Sequence, residues 1–304
     1  MSVITPPDRH KQPILYPSPP RAGDALLRRQ KNPLLTRGHL IWELNYVDVV
    51  GFELAQAPTH HDTGIAYSSS PTIASEQDVR TLLHRSRNIK YDIIALQETK
   101  GKTETIKKAD HKEFLIIGVK LNRRNIGGVG FIVNSTVHHL ADSYKIVGSQ
   151  VAVLRLEVKD QAKISIINGY APTSAAADEE KEEFYELLER TVNDEKSYYK
   201  VVDGDFNATV GINDCDEWRL GPHGSSSRND NGMRLVEFLS ACRLFHGNSM
   251  FEKPSHRRWT WESPNGEVRS EIEHVLLAGD GVCSTSPCFL RLTPLRITAF
   301  SVPS

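Results

Sequence analysis

Apolar residues come in short runs from about Ser75 onward, and most runs stop at a polar or charged residue. Over Glu76–Asn88, Val79, Leu82 and Leu83 recur at helical spacing, which predicts a helix with one buried face. Asp92–Leu96 carries Ile-Ile-Ala-Leu with no polar break, the pattern of a strand covered on both faces, and Gln97-Glu98-Thr99 follows it. Gly127–Val133 reads as a glycine-led strand. Val151–Val158 and Lys163–Tyr170 read as neighbouring strands of a hairpin or meander. Asp178 reads as the cap of a helix whose buried stripe is Phe184, Leu187, Leu188, Thr191 and Val192. Its acidic run, Glu179, Glu180, Glu182 and Glu183, suits the positive end of that helix. Val201-Val202 starts a strand that ends in Asp203-Gly204-Asp205-Phe206-Asn207. A loop over 208–230 precedes a helix at Asn231–Cys242 with Leu235, Phe238 and Leu239 inward. Arg258–Trp261 and Glu271–Leu277 complete the strands. Strands outnumber helices, and several are sequence neighbours. This predicts two sheets with helices outside rather than a doubly wound parallel sheet.

Composition narrows the picture. At 304 residues the chain forms one large or two small domains, and 39% hydrophobic residues suffice for a globular core. A net charge of −1 means that any nucleic-acid surface must be local. Cys215, Cys242, Cys283 and Cys288 show no metal-type spacing, and a reduced, intracellular compartment is expected. No apolar run reaches the roughly 18 residues of a membrane span, so no membrane partner is expected. Residues 1–66 differ from the rest. Pro6, Pro7, Pro13, Pro17, Pro19 and Pro20 oppose regular structure, and Arg21–Arg37 is basic. They read as a disordered extension, either a solvated arm or one that touches nucleic acid. His60-His61-Asp62 resembles a metal trio only superficially.

Candidate chemistry gathers at strand ends: Glu98, Tyr170, Asp205 with Asn207, and Glu273. In extended backbone Asp205 and Asn207 share a face, while Phe206 points into the core. The same residues also suit a plain surface turn. Carboxylates without Cys or His ligands suit a hard cation, Mg²⁺ or Mn²⁺. Such a cation beside a carboxylate that takes a proton from water suits phosphodiester hydrolysis. That carboxylate should be ionised at neutral pH unless burial or a neighbour raises it. Gly127 and Gly128 could cradle phosphate, but no helix follows them, and close backbone packing is the better reading.

Five motifs occur in order: Leu96-Gln97-Glu98-Thr99, Gly128-Val129-Gly130-Phe131, Gly169-Tyr170-Ala171-Pro172-Thr173, Gly204-Asp205-Phe206-Asn207 and Arg258-Trp259-Thr260-Trp261. With them the chain resembles the endonuclease/exonuclease/phosphatase superfamily over roughly residues 75–277. Asp203–Gly211, Arg228–Gly232, Leu244–Asn248 and Trp259–Gly266 carry a narrower resemblance, to the apurinic-type endonuclease domain of an RTE-like LINE (non-LTR) retrotransposon. The resemblance implies an α/β four-layer sandwich over 67–277, with two β-sheets face to face and helices outside, incomplete at both ends. It implies a metal-dependent nuclease that nicks DNA by water attack on phosphate, or an inactive DNA-binding derivative. Glu98 matches the metal ligand, Tyr170 a phosphate contact, Asp205 the group that activates or positions water, and Asn207 the asparagine beside it. Glu273 stands at the aspartate of the family's Ile-Asp-His. Thr173, Arg228, Asn231, Trp259, Thr260 and Trp261 are expected to meet nucleic acid, with one tryptophan exposed and one buried. The implied partners are DNA and a reverse transcriptase domain absent from this chain; the implied location is intracellular, and the nucleus if the chain is functional.

Three departures mark a degenerate or truncated copy. Ala66–Thr72 lacks the asparagine of the family's first strand, and the context of Asn45 does not match it. Ile272-Glu273-His274 carries a longer carboxylate. No Ser-Asp-His occurs, and His274, next to Glu273 on a strand, must face the other way. The tail, 278–304, shows no clear period and is expected to be disordered and outside the sandwich. Arg296-Ile297-Thr298-Ala299-Phe300 can be encoded by bases that, read one nucleotide earlier, give Ser-Asp-His-Arg-Leu. Asp280–Pro287 likewise yields Trp-Gly-Leu-Leu-Asp-Val-Ser, similar to the family's next strand. A one-base frameshift or gene-model error near Leu277–Gly279 is therefore expected.

Overall fold

Alternating apolar side chains dictate two sheets, and the faces those side chains cover decide how the sheets stack. A computed structural model describes residues 76–86, 91–109, 112–120, 127–158, 163–213, 217–224, 227–254, 258–263, 265–278 and 297–301. In chain order the elements are α1 Glu76–Ser86, β1 Ile93–Gln97, β2 Thr105–Lys108, β3 Phe114–Ile117, β4 Gly130–Val133, β5 Ala141–Ile146, β6 Val151–Glu157, β7 Lys163–Tyr170, α2 Asp178–Asp194, β8 Tyr199–Asp205, α3 Asp230–Ala241, β9 Phe245–His246, β10 Trp261–Glu262, β11 Arg269–Ser270, β12 Glu273–Ala278 and β13 Ile297–Ser301. One sheet runs β13-β1-β4-β3-β2 and the other β5-β6-β7-β8-β12-β9; β10 and β11 form a separate hairpin.

Period-two side chains give each sheet two faces. Ile93, Ala95, Ile116, Phe131 and Val133 of the first sheet pack against Leu154, Leu156, Ile164, Ile166, Val201, Val275 and Leu277 of the second. The opposite face of the first sheet, with Ile94, Leu96, Leu115 and Ile132, is covered by Val79, Leu82 and Leu83 of α1. The opposite face of the second carries Val151, Val153, Ile167, Val202 and Leu276. Phe184, Leu188 and Val192 of α2 cover it, with Leu235, Phe238 and Leu239 of α3. The result is the four-layer α/β sandwich that the strand pattern and the resemblance imply.

Several expectations change in detail. β2, β3 and β5 were not expected; β2 and β5 are edge strands with alternating exposed positions, so neither carries a continuous apolar run, while β3 is an apolar run of only four residues, Phe114–Ile117. Asp178 opens α2 but does not cap it. Ala177 is the N-cap, and the Asp178 carboxylate pairs with Arg234 and Lys181 instead. Arg258–Thr260 is not strand; only Trp261–Glu262 pairs, with β11. The tail is corrected in part. Ile297–Ser301 joins the first sheet as a strand parallel to β1, in register from Ile93↔Ile297 to Gln97↔Ser301. Backbone hydrogen bonding accepts any non-proline sequence, so a segment without Ser-Asp-His can fill that place. Residues 1–75, including Asn45, His60-His61-Asp62 and Ala66–Thr72, lie outside the described residues.

Candidate active site

Register assembles the site. Tyr170 on β7 stands opposite Asp205 on β8, and Asp205 stands opposite Glu273 on β12. Two residues back, the corresponding row is Asn168, Asp203 and Val275; two further back it is Ile166, Val201 and Leu277. Ile166, Val201, Val275 and Leu277 belong to the inter-sheet core, so the alternation turns Asp203, Asp205 and Glu273 toward the facing sheet. From that facing sheet comes Glu98, the residue after β1, with φ 53°. The Tyr170 hydroxyl donates to Glu98 Oε1 at 2.7 Å, closing the mouth of the gap between the sheets. Beneath it, Asn168 Nδ2 donates to Leu96 O and Gly130 O, both at 2.9 Å, and Asn168 Oδ1 accepts from Gln97 Nε2 at 2.7 Å. These buried bonds fix the separation of the two sheets at the site.

Asn207 reaches the site differently from the extended spacing expected. Its φ is 48°, so the chain turns immediately after β8. The Asp205 Oδ1 accepts the Asn207 backbone N–H at 2.9 Å, and Asn207 Nδ2 donates to Ala171 O at 3.0 Å. Phe206 packs on the far face with Phe184 and His274, as its alternation requires. The turn is held from outside by α3: Asn229 Nδ2 and Asn231 Nδ2 both donate to Asn207 O, at 3.3 and 3.0 Å.

Asp205 is buried rather than open at the sheet edge. Burial first, then the charges of Glu273 and Glu98, push its carboxyl up to about 8, against the Asn207 amide that lowers it. Burial and a charged neighbour are the two conditions under which an ionised carboxylate was not expected, and both hold at Asp205. Asp203 is only 1% exposed, and neither carboxylate oxygen has a hydrogen-bond partner. Burial and the Glu273 charge push it up to about 8 as well. Tyr170 is raised well above the ordinary phenol range by burial and by Glu98, so it remains a donor. His274 faces away, as expected, and pairs with His246 at 2.9 Å; both are pushed down, chiefly by burial.

The expected nucleic-acid residues divide. Thr173 is exposed on the loop after Tyr170, and Trp261 is exposed on the hairpin. Trp259 is half-buried beneath the Arg269 guanidinium, 4.7 Å from the ring centroid. Arg228, Asn231 and Thr260 have internal tasks instead. Arg228 forms a two-point ion pair with Glu217 and donates to Val210 O. Asn231 is buried and holds Pro172 O and Asn207 O. Thr260 Oγ1 accepts the backbone N–H groups of Ile272 and Glu273, which fixes the start of β12. Sequence reading missed Gln97, Asn168, Asp203 and Asn229. Asn168 and Asp203 were detectable as polar residues two positions before Tyr170 and Asp205 inside apolar runs. Gly128 confirms close packing, since a Cβ there would lie 2.4 Å from Thr99 Oγ1.

All the groups at the mouth offer oxygen, the donor chemistry of a hard cation. Among the described residues no three His, Cys, Asp or Glu side chains converge closely enough to hold a metal ion. Glu98 has Oε1 engaged by Tyr170 and leaves Oε2 for a cation, a fit for Mg²⁺, which commonly takes one or two carboxylates and keeps its waters. No described helix is long and apolar enough to cross a membrane.

No family model matches the sequence. Craniofacial development protein 2 of Bos taurus is 31% identical over 189 residues, covering 62% of this chain and 31% of that protein. Its counterpart in Tragulus javanicus is 30% identical over 189 residues, covering 62% and 32%. The chain thus spans about a third of the length of these relatives. Among solved structures, the APE2 catalytic domain of Xenopus laevis superposes with a TM-score of 0.49 at 15% identity, covering 69% of this chain and 81% of that one. The 3′ phosphatase NExo from Neisseria, bound to product DNA hairpin, gives 0.48 at 16%, covering 68% and 84%.

Proposed function

We propose that the chain is a metal-dependent phosphodiesterase of the endonuclease/exonuclease/phosphatase type, descended from a retrotransposon endonuclease, that nicks DNA by water attack on phosphate. The observation that carries this reading is the meeting of Glu98, Tyr170, Asp205, Asn207 and Glu273 at one mouth between two sheets. Glu98 would hold Mg²⁺ or Mn²⁺, which supplies positive charge to the phosphate oxygens and makes a nearby water more acidic. Asp205 keeps Oδ1 on the Asn207 backbone N–H; in its ionised form, which the positive charge of a bound cation would favour, Oδ2 is left to take the proton of the attacking water. Tyr170, protonated, positions the Glu98 carboxylate through its hydroxyl. Asn207 spends its amide nitrogen on Ala171 O, which leaves its carbonyl oxygen to orient the water.

Relaxation of supercoiled plasmid in Mg²⁺ tests the reading. Asp205→Asn should lose about 10²–10⁴-fold in nicking rate and still bind DNA. Mg²⁺ should also raise the melting temperature of wild type and not of Glu98→Ala, because a ligand of the native state stabilises it. Undiminished cutting by Asp205→Asn removes that residue from the chemistry. A second reading, a DNA-binding derivative that does not cut, is favoured by the facing of both buried histidines away from Asp205. Wild type that binds plasmid without nicking it would establish that second reading.

A further inference from the structure

We propose that Trp218, Arg219 and Arg243 form a stacking platform for an unpaired nucleobase and its flanking phosphate. The proposal rests on the DNA-processing reading above. Trp218 is 63% exposed, yet it is fixed. The Arg219 guanidinium lies 4.0 Å from the indole centroid, and Phe245 meets the indole edge-on at 5.5 Å. One face of the indole is covered and the other is open. Arg219 is itself held by Nη1 donating to Leu244 O at 3.2 Å, and its carbonyl accepts His246 N–H at 2.9 Å.

Among the described residues the local charge is positive. Arg243, exposed after α3 with φ 56°, lies close enough to Arg219 to lower its pKa, second to burial. Neither arginine is ion-paired among the described residues. Among the described residues the nearby acid, Glu217, is already neutralised by its two-point pair with Arg228. Two unpaired guanidinium groups beside an open aromatic face suit a base with its phosphate. An apolar peptide would bury the indole but leave both charges desolvated. The net charge of the chain is −1, so this attraction belongs to the patch and not to the molecule as a whole. Phe245 pairs with Leu277 on β12, four residues along from Glu273. That is roughly 13 Å of strand, less than one duplex turn of about 34 Å.

The experiment is fluorescence anisotropy of labelled single-stranded and duplex DNA with the full chain in chelator, so that nothing is cut. Heparin, a polyanion without bases, is the comparator. Trp218→Ala should weaken single-strand binding about 5- to 100-fold and leave heparin binding unchanged, while Trp218→Phe keeps most of the affinity. Arg243→Ser should lower the salt dependence by about 0.7 in log–log slope. Unchanged DNA affinity in Trp218→Ala overturns the platform and leaves the nuclease reading standing on its plasmid assay. Equal loss of DNA and heparin in Trp218→Ala also overturns it, since stacking would not be the cause. Absence of any single-strand binding by wild type overturns the platform and leaves the nuclease reading to the plasmid assay in Mg²⁺.

Discussion

Asp203 sets the character of the site at the scale of single residues. A buried carboxyl with no partner is cheaper to keep protonated than charged. Its folded value of about 8 stands above the ordinary value of about 3.9. Its contribution to stability is therefore complete below about pH 4, declines as pH rises, and is gone once pH passes the folded value. Asp203→Asn keeps the shape and removes the charge. Between pH 5 and pH 9 its melting temperature should fall by about 5 °C less than that of wild type. An identical decline in both would assign the pH dependence elsewhere. His246 and His274 act in the opposite direction. Both are depressed, so their contribution is present above the ordinary value of about 6.5 and lost as pH falls. NMR titration of the folded protein should find both rings neutral at about pH 6.5, the ordinary midpoint of the side chain.

Among elements, α3 has more to do with the site than its sequence suggests. Its N-cap, Asn229, accepts from Gly232 N and Thr209 N, and Asn231 in its first turn holds one backbone oxygen from each of two loops, Pro172 O after β7 and Asn207 O after β8. A Cβ at Gly232 would lie 1.9 Å from Thr209 O, so only glycine lets the helix approach this closely. Asn231→Ala should cost about 1–3 kcal/mol in chemical denaturation, the range for stranding buried polar groups. Gly232→Ala should cost about as much by forcing the helix off the turn. Variants as stable as wild type would mean that α3 merely covers the sheet. The motif containing these residues was visible in the sequence, but their direction was not. A polar residue in a first helical turn looks the same whether it faces solvent or a neighbouring turn.

For the whole molecule, completeness of the site turns on the strand beside β1. β13 supplies backbone beside β1, but its residues are not Ser-Asp-His. The coding DNA read one base earlier across Arg296–Phe300 should give Ser-Asp-His-Arg-Leu. Sequencing the gene decides this, and a neighbouring frame without that motif ends the frameshift explanation. A chain that restores the shifted frame should nick plasmid faster than the chain as written. Equal rates would show that the histidine is dispensable here.

The sequence by itself determined the sandwich and the members of its mouth. Alternation over Val151–Val158 and Lys163–Tyr170 and unbroken apolar runs at β1 and β8 are properties of neighbours along the chain. Period-two geometry converts them directly into faces. Glu98, Tyr170, Asp205 and Glu273 were legible because each ends or begins such a run. Tertiary structure alone decided what those groups are chemically. The protonation of Asp205 depends on Glu98, which arrives from the other sheet, and on Glu273, from a strand 68 positions away. The orphaned state of Asp203, the bridge from Asn168 to Leu96 and Gly130, and the inward tasks of Arg228, Asn231 and Thr260 are likewise contacts between distant segments. Hydrogen-bond partners and desolvation are set by what packs across a gap, and no local pattern in a single sequence encodes that distance.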